Sequence, residues 1–249
     1  MEKRETPAEI TDETKTQDAI VEEVATTDAA VLGADETIVE QPYVYKKKPV
    51  YDFFKRCFDL FVSSIAILVL SPILLIIAII IKSTSKGPVL YVSQRVGKDG
   101  KVFKFYKFRT MVDRADEQLD DLLKDNEVEG GVIFKMKNDP RITKVGKFLR
   151  KTSIDELPQL FNVFLGNMTL VGPRPCTVRE YEQYNDHHKK RLAVKQGMTC
   201  LWQVSGRSNL SFEKQIELDL EYIQKRGFWY DIWLILRTIP AVFRSDGAE

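Results

Sequence analysis

The sequence predicts an α+β chain, mostly helical, built around one apolar segment that enters a membrane. Three observations lead there. Residues 57–81 are almost uniformly apolar. Two short β-prone runs flank a turn at Gly97-Lys98-Asp99-Gly100, the pattern of a β-hairpin. Residues 211–226 set Phe212, Ile216, Leu220 and Ile223 on one helical stripe. A length of 249 residues accommodates one or two domains.

The N-terminal part differs from everything after it. Residues 1–41 carry a net charge of −9 and residues 42–249 a net of +10, within a total of +1. The first segment is rich in Glu, Asp, Thr and Ala and has no aromatic residue. Such a composition cannot bury enough apolar surface to offset chain entropy, so residues 1–45 are expected to be a disordered acidic tail. It also lacks the apolar stretch of a secretory signal. The basic remainder suits anionic lipid, a phosphorylated substrate or nucleic acid. The odd, widely spaced Cys57, Cys176 and Cys200 point to a reducing compartment, and with only two histidines, His187 and His188, a His-rich zinc site is not expected.

Lys46 to Lys48 begin a second part, residues 46–86. In residues 57–81 Asp59 is the only charge. As a helix these 25 residues measure about 37 Å, enough to cross a bilayer. Two features oppose a simple crossing. Pro72, after Ser71, removes a backbone donor near the middle and kinks or breaks a helix. Both flanks are basic, with Lys55 and Arg56 on one side and Lys82 and Lys86 on the other, so both ends claim the cytoplasmic side. A helix that dips into one leaflet and returns satisfies both, with Ser63, Ser64 and Ser71 covering freed backbone groups. Spanning and re-entrant readings both stay open on these residues alone.

Residues 87–249 form the remaining domain. Val89–Val92 and Val102–Tyr106 are the hairpin strands, with Lys104, Lys107 and Arg109 on or just after the second. An acidic helix is expected at 113–125, a break at Gly130-Gly131, a short apolar element at 132–136 and a turn at Asp139-Pro140-Arg141. A charged helix follows at 177–193, then a loop-like run at 197–207. In residues 228–243, Trp229, Tyr230 and Trp233 suit either a membrane–water interface or an ordinary core helix. Neither a G-x-x-x-x-G-K-S/T phosphate loop nor a G-x-G-x-x-G fingerprint occurs.

The most informative stretch is residues 150–175. Adjacent carboxylates, Asp155 and Glu156, lie between Arg150 and Lys151 on one side and Arg174 on the other, among Pro158, Pro173 and Pro175. Oxygen ligands suit Mg²⁺ and guanidinium forks suit phosphate. A plainer reading competes: Ser153 and Glu156 have capping-box spacing, with Asp155 in a first helical turn. Fold-stabilising ion pairing competes equally for Arg109 and Arg141.

In order, Lys55-Arg56 with Asp59, Ser71-Pro72, Gly87-Pro88, Gln94 to Gly97, Lys107 to Met111, Asp139 to Thr143, Asp155 to Leu160 and Leu170 to Pro175 resemble the monotopic polyprenol-phosphate phosphoglycosyl transferases, the bacterial sugar transferase family. The resemblance covers about residues 50–245. It implies transfer of a sugar-1-phosphate from a UDP-sugar to undecaprenyl phosphate, with release of UMP, Mg²⁺ and a covalent intermediate. It implies a re-entrant helix broken at Ser71-Pro72 and interfacial amphipathic helices. The catalytic domain, residues 87–249, would then lie on the cytoplasmic face of the inner membrane.

Carried onto this chain, the resemblance makes Asp155 the nucleophile and Glu156 the Mg²⁺ ligand. Arg150 and Arg174 would bind substrate phosphate, with Lys107 and Arg109 as further candidates. Leu201 to Ser208 resembles members that transfer galactose- or glucose-phosphate. Cys200, where glycine is expected after Met198-Thr199, and the Gly247-Ala248-Glu249 ending depart from that pattern and weaken the choice of sugar. The larger members' multi-helix N-terminal membrane domain is missing, so a minimal catalytic unit is expected. Association with further copies of the chain is left open. The alternatives are a non-catalytic, membrane-anchored assembly protein of a glycan pathway, with Asp155-Glu156 as a mere cap, and a nucleic-acid binder. The apolar segment and the absence of a recognition motif count against the latter, so no nucleic-acid partner is expected.

Overall fold

The computed structural model describes residues 45–118, 136, 139–206 and 210–244. The acidic tail, the Gly130-Gly131 break, nearly all of the 132–136 element and the C-terminal end lie outside the described residues.

Helix α1, Pro49–Thr84, starts on a proline at its first turn, where the missing donor costs nothing. It remains helical across Ser71-Pro72, where the sequence predicts a break. Proline's φ fits a helix, and the interruption is one missing bond: the Leu68 carbonyl that residue 72 cannot serve accepts from Ser71 Oγ at 2.8 Å. Ser63 and Ser64 both bond back to the Leu60 carbonyl.

Only 11% of the most apolar stretch of α1 is covered by protein, yet both ends are docked. Near the start, the buried Asp59 accepts from Thr169 Oγ1 at 2.6 Å and Leu170 N at 3.0 Å. Arg56 donates to the Val163 and Phe164 carbonyls. Towards the other end, Ile77 and Ile81 pack with Phe108 and Leu149 in one core cluster.

The hairpin forms as read, with longer strands. Strand β1, Leu90–Val96, pairs antiparallel with β2, Val102–Phe108, from Leu90 opposite Phe108 to Val96 opposite Val102. The turn between them puts Asp99 and Gly100 at positive φ. The described part of the expected acidic helix, Ala115–Gln118, is a 3₁₀ turn. Helix α2, Lys144–Lys151, is capped by Thr143, whose side chain accepts from Gly146 N. Gly146 lies so close to residue 110 that a Cβ would stand 1.9 Å from the Thr110 carbonyl oxygen.

Helix α3, Gln159–Leu165, covers the free edge of β2. Its fully buried Asn162 accepts from Tyr106 N and donates to the Lys104 carbonyl, replacing a strand partner. Phe105, Val163 and Met168 make the second core cluster. Strand β3, Thr169–Val171, follows, and β4, Cys176–Thr177, adds to β1 so that the sheet order is β2-β1-β4.

The helix expected over 177–193 is divided. Helix α4, Val178–Glu182, carries a complete Thr177–Glu180 capping box, and α5, Asp186–Lys189, restarts on the Asn185 side-chain cap. A 3₁₀ turn, Lys190–Ala193, completes the segment. The run read as a loop after residue 196 holds β5, Gly197–Thr199, parallel to β3, and helix α6, Leu201–Ser205. Helix α7, Phe212–Lys225, buries the predicted stripe of Phe212, Ile216, Leu220 and Ile223. Helix α8, Phe228–Arg244, buries Leu234 but leaves Phe228, Trp229, Trp233, Leu236 and Ile239 exposed. That face is not an ordinary core face.

Candidate active site

Asp155 and Glu156 lie on a 3₁₀ turn, Ile154–Glu156, between α2 and α3. They are not in the first turn of an α-helix, and the capping box read at Ser153 is not formed. Ser153 has a left-handed backbone, φ 55°, and its side chain caps nothing. α3 begins only at Gln159, after Pro158. The plainest structural explanation of the carboxylate pair is thereby removed.

Glu156 is the centre of a cation cluster. Lys107 Nζ lies 2.9 Å from its Oε1, and Arg174 approaches with Nη2 at 2.6 Å from Oε1 and Nη1 at 3.3 Å from Oε2. Lys107 Nζ also stands 3.6 Å from Asp155 Oδ2. Arg150 donates from Nε to Thr110 Oγ1 at 2.9 Å and lies within electrostatic reach of Asp155. Strand β2 supplies Lys107, the turn after β3 supplies Arg174, and α2 supplies Arg150. Four of the predicted phosphate- and metal-handling side chains therefore converge on Asp155.

Arg109 does not join them. β2 ends at Phe108, so strand alternation no longer aims the next side chain. The Arg109 guanidinium turns instead to the end of α1, donating to the Ser85 carbonyl and hydroxyl at 2.9 and 2.7 Å. Arg141 takes the structural role read for it as an alternative, forming a buried bidentate pair with Asp139.

The two adjacent acids are electrostatically unlike. Burial raises the Asp155 pKa, and the Glu156 charge adds to this against the pull of Lys107, Arg150 and Arg174. Glu156 is partly buried, but Arg174 and Lys107 overcome the desolvation and hold it well below the usual carboxylate range. Burial lowers the Arg150 pKa, opposed by Asp155 and Asp139. The pair thus combines a carboxylate of raised proton affinity with one held firmly ionised, a separation suited to different roles.

A layer behind the cluster has no local sequence signal. Arg191 donates to the Arg174 carbonyl at 3.1 Å and to Tyr184 OH at 2.8 Å, and is paired with the fully buried Asp219 of α7. Burial pushes Asp219 up to about 6 despite Arg191. The Tyr222 hydroxyl lies 2.9 Å from both the Val171 carbonyl and Asp231, and Asp231 is also bonded by Lys55 and Tyr51. The two networks fix the backbone on either side of Gly172-Pro173. Gly172 and Gly197 meet so closely that a Cβ on residue 197 would stand 2.1 Å from Gly172 N. The charged residues of these networks are distant in sequence, and only the α7 stripe hinted at the scaffold that holds them.

Among the described residues, no group of three or more His, Cys, Asp or Glu side chains gathers as a metal site. Glu156, the predicted Mg²⁺ ligand, offers two carboxylate oxygens, and both are bonded by Lys107 or Arg174 in this arrangement. The depressed pKa of Glu156 keeps that donor ionised.

Residues 50–245 match the family described as bacterial sugar transferase. The chain is 51% identical over 164 residues to the galactosyl transferase CpsE of Streptococcus agalactiae, covering 66% of this chain and 36% of that protein. It is 45% identical over 199 residues to the undecaprenyl-phosphate galactose phosphotransferase of Salmonella typhimurium, covering 79% and 42%. With the exopolysaccharide production protein ExoY of Rhizobium meliloti it shares 40% identity over 204 residues, 81% of this chain and 90% of that one. The chain spans less than half the length of the first two relatives. With the match running from α1 through α8 and taking in the whole carboxylate and cation cluster, the chain belongs to the bacterial sugar transferase family.

Proposed function

We propose that this chain transfers a sugar-1-phosphate, galactose- or glucose-phosphate, from a UDP-sugar to undecaprenyl phosphate and releases UMP, opening a cell-surface polysaccharide pathway. The observation that carries the reading is the pair of the buried Asp155 and the partly buried Glu156, ringed by Lys107, Arg174 and Arg150. The relatives' names support the substrate classes: the Salmonella protein is called an undecaprenyl-phosphate galactose phosphotransferase, and a Klebsiella pneumoniae relative, 45% identical, a UDP-glucose:undecaprenyl-phosphate glucose-1-phosphate transferase.

Asp155 is the nucleophile. Its carboxylate bonds to the β-phosphorus of the UDP-sugar while the bond to the UMP oxygen breaks. An oxygen of undecaprenyl phosphate then attacks the same phosphorus, and the bond to Asp155 breaks, restoring the carboxylate. Two displacements let a soluble donor and a membrane-bound acceptor use one site in turn. Lys107 and Arg174 hold phosphate oxygens and stabilise the departing negative charge, and Arg150 stands beside the phosphoryl group. Glu156 would hold Mg²⁺, which when bound neutralises diphosphate charge.

The protein is a one-leaflet resident of the inner membrane, its catalytic domain on the cytoplasmic face, with α1 entering and leaving one leaflet through a bend at Pro72 that keeps the backbone helical. Two observations support this: both ends of α1 dock on the same folded body, and Ser71 relieves the Leu68 carbonyl where a turn within lipid would otherwise leave it bare. The exposed apolar residues of α8 support an interfacial position for that helix.

The deciding experiment measures UMP release from a panel of UDP-sugars with undecaprenyl phosphate. UDP-galactose or UDP-glucose should react fastest, and Asp155→Asn should abolish release. Full activity in that variant removes the nucleophile assignment.

A further inference from the structure

A second cationic site lies away from Glu156. A cavity of about 200 Å³ opens between the first turns of α1, the hairpin turn and residues 194–195, lined by Arg56, Lys98 and Lys195 among others. Lys107 and Val102 are five residues apart on β2, about 17 Å, and Lys98 lies in the turn beyond. Lys98 therefore stands roughly a strand's length from the Lys107 end of the hairpin.

The charges lining the cavity do not balance. Asp52 is committed to Arg226, Lys55 to Asp231, and Asp59 to Thr169 and Leu170. Arg56 bonds only backbone carbonyls at the end of α3. Neither Lys98 nor Lys195 has an ion pair among the described residues, and burial together with the Arg56 and Lys98 charges depresses the Lys195 pKa against the opposite pull of Asp59 and Asp52. Arg56, Lys98 and Lys195 face a cavity whose only lining carboxylates are Asp52, already paired with Arg226, and Asp59, so positive charge remains in excess.

The surroundings specify the kind of anion. On the far side of Arg226, a mostly apolar groove is formed by Pro49, Val50, Phe54 and Phe228. Phe53, Phe54, Phe61 and Trp229 are exposed close by in sequence. The cavity thus adjoins the apolar segment of α1, where an apolar chain and a phosphate are found on one molecule. We propose that the cavity binds the phosphate of an anionic phospholipid through Arg56, Lys98 and Lys195, with an acyl chain in the adjoining groove. The proposal rests on the membrane position of α1 and not on the transfer chemistry.

The test uses the full chain in neutral detergent, titrated calorimetrically with dihexanoyl-phosphatidylglycerol, dihexanoyl-phosphatidylcholine or inorganic phosphate. Saturable binding of the phosphatidylglycerol is expected. It should be about thirtyfold weaker in Lys98→Gln/Lys195→Gln and about fivefold weaker in Lys98→Gln alone. The single change is at an exposed residue and carries the test if the double variant does not fold. Lys107→Gln, which alters the Glu156 cluster, should bind the lipid as the unaltered chain does. Equal lipid binding in the lysine variants overturns the site. Phosphatidylcholine binding as tightly as phosphatidylglycerol leaves only an apolar groove, and inorganic phosphate binding as tightly as the lipid leaves a free-anion site. Either result overturns the lipid assignment.

Discussion

Arg191 can be separated from the chemistry it supports. It is buried, touches Asp219 and Tyr184, and donates to the carbonyl of Arg174, the residue that grips Glu156. Arg191→Met removes a cation from beside a carboxylate whose side chain is 0% exposed. Breaking a buried pair from one side costs about 3–5 kcal/mol, because the remaining charge is left without a partner. The cost also depends on pH. Asp219, already pushed up to about 6, rises further without Arg191, whereas in the unfolded chain it titrates at its ordinary 3.8. The folded variant keeps its proton and gives up stability as pH rises through that higher value, so the loss should be larger at pH 8 than at pH 6.

Replacing both partners, Arg191→Met with Asp219→Leu, removes the orphaned charge and should recover most of the stability. Activity should not recover with it. The Arg174 carbonyl still lacks its donor, a loss of about 1 kcal/mol of positioning, or roughly a fivefold fall in kcat. The assays are denaturant unfolding in micelles at both pH values and UMP release at saturating substrate. A single variant less than about 1 kcal/mol destabilised would refute the buried-pair reasoning. A double variant with the kcat of the unaltered chain would reduce Arg191 to a fold element.

Three further outcomes are expected. Lys107→Gln removes a charge that lowers the Asp155 pKa, so the acid limb of kcat/KM should move to higher pH; an unmoved or lower limb would separate Lys107 from Asp155. Gly146→Ala drives a Cβ to 1.9 Å from the Thr110 carbonyl, so α2 must shift, costing about 1–3 kcal/mol in unfolding free energy and carrying Arg150 with it; a silent substitution would contradict that packing. In a Cys57→Ser background, Lys47→Cys and Lys86→Cys should both react with an impermeant thiol reagent applied to the same face of a sealed vesicle, and labelling from opposite faces would restore a spanning helix.

What could be read from the sequence was local. The hairpin followed from β-prone runs around a turn, and the α7 stripe from a helical period. Asp155, Glu156 and Arg174 stand within twenty residues, so their meeting needed little folding to foresee. The β3–β5 pairing joins three-residue strands nearly thirty positions apart, too short for a periodic signal. S-x-x-E at residue 153 looked like a cap, while the working capping box is Thr177 with Glu180; spacing alone does not report that Ser153 adopts φ 55°. Arg109 shares strand parity with Lys107 but stands one residue past the strand end, where parity stops predicting direction. Asp59, the lone charge of the apolar segment, was legible only as an oddity, because its partners Thr169 and Leu170 lie 110 positions away.

Asp59 and Ser85 also bear on what kind of part α1 is. Asp59 grips β3, which leads within five residues to Arg174, and Ser85 holds Arg109, two residues beyond Lys107. The two cations that clasp Glu156 are thus each wired to one end of the apolar helix α1. Such a helix is not an interchangeable tether that a soluble fragment can lose or a chimera can replace. Cutting it away would remove Ile77 and Ile81 from a core cluster and free both strands that aim the site, so solubility gained that way would cost the site its geometry.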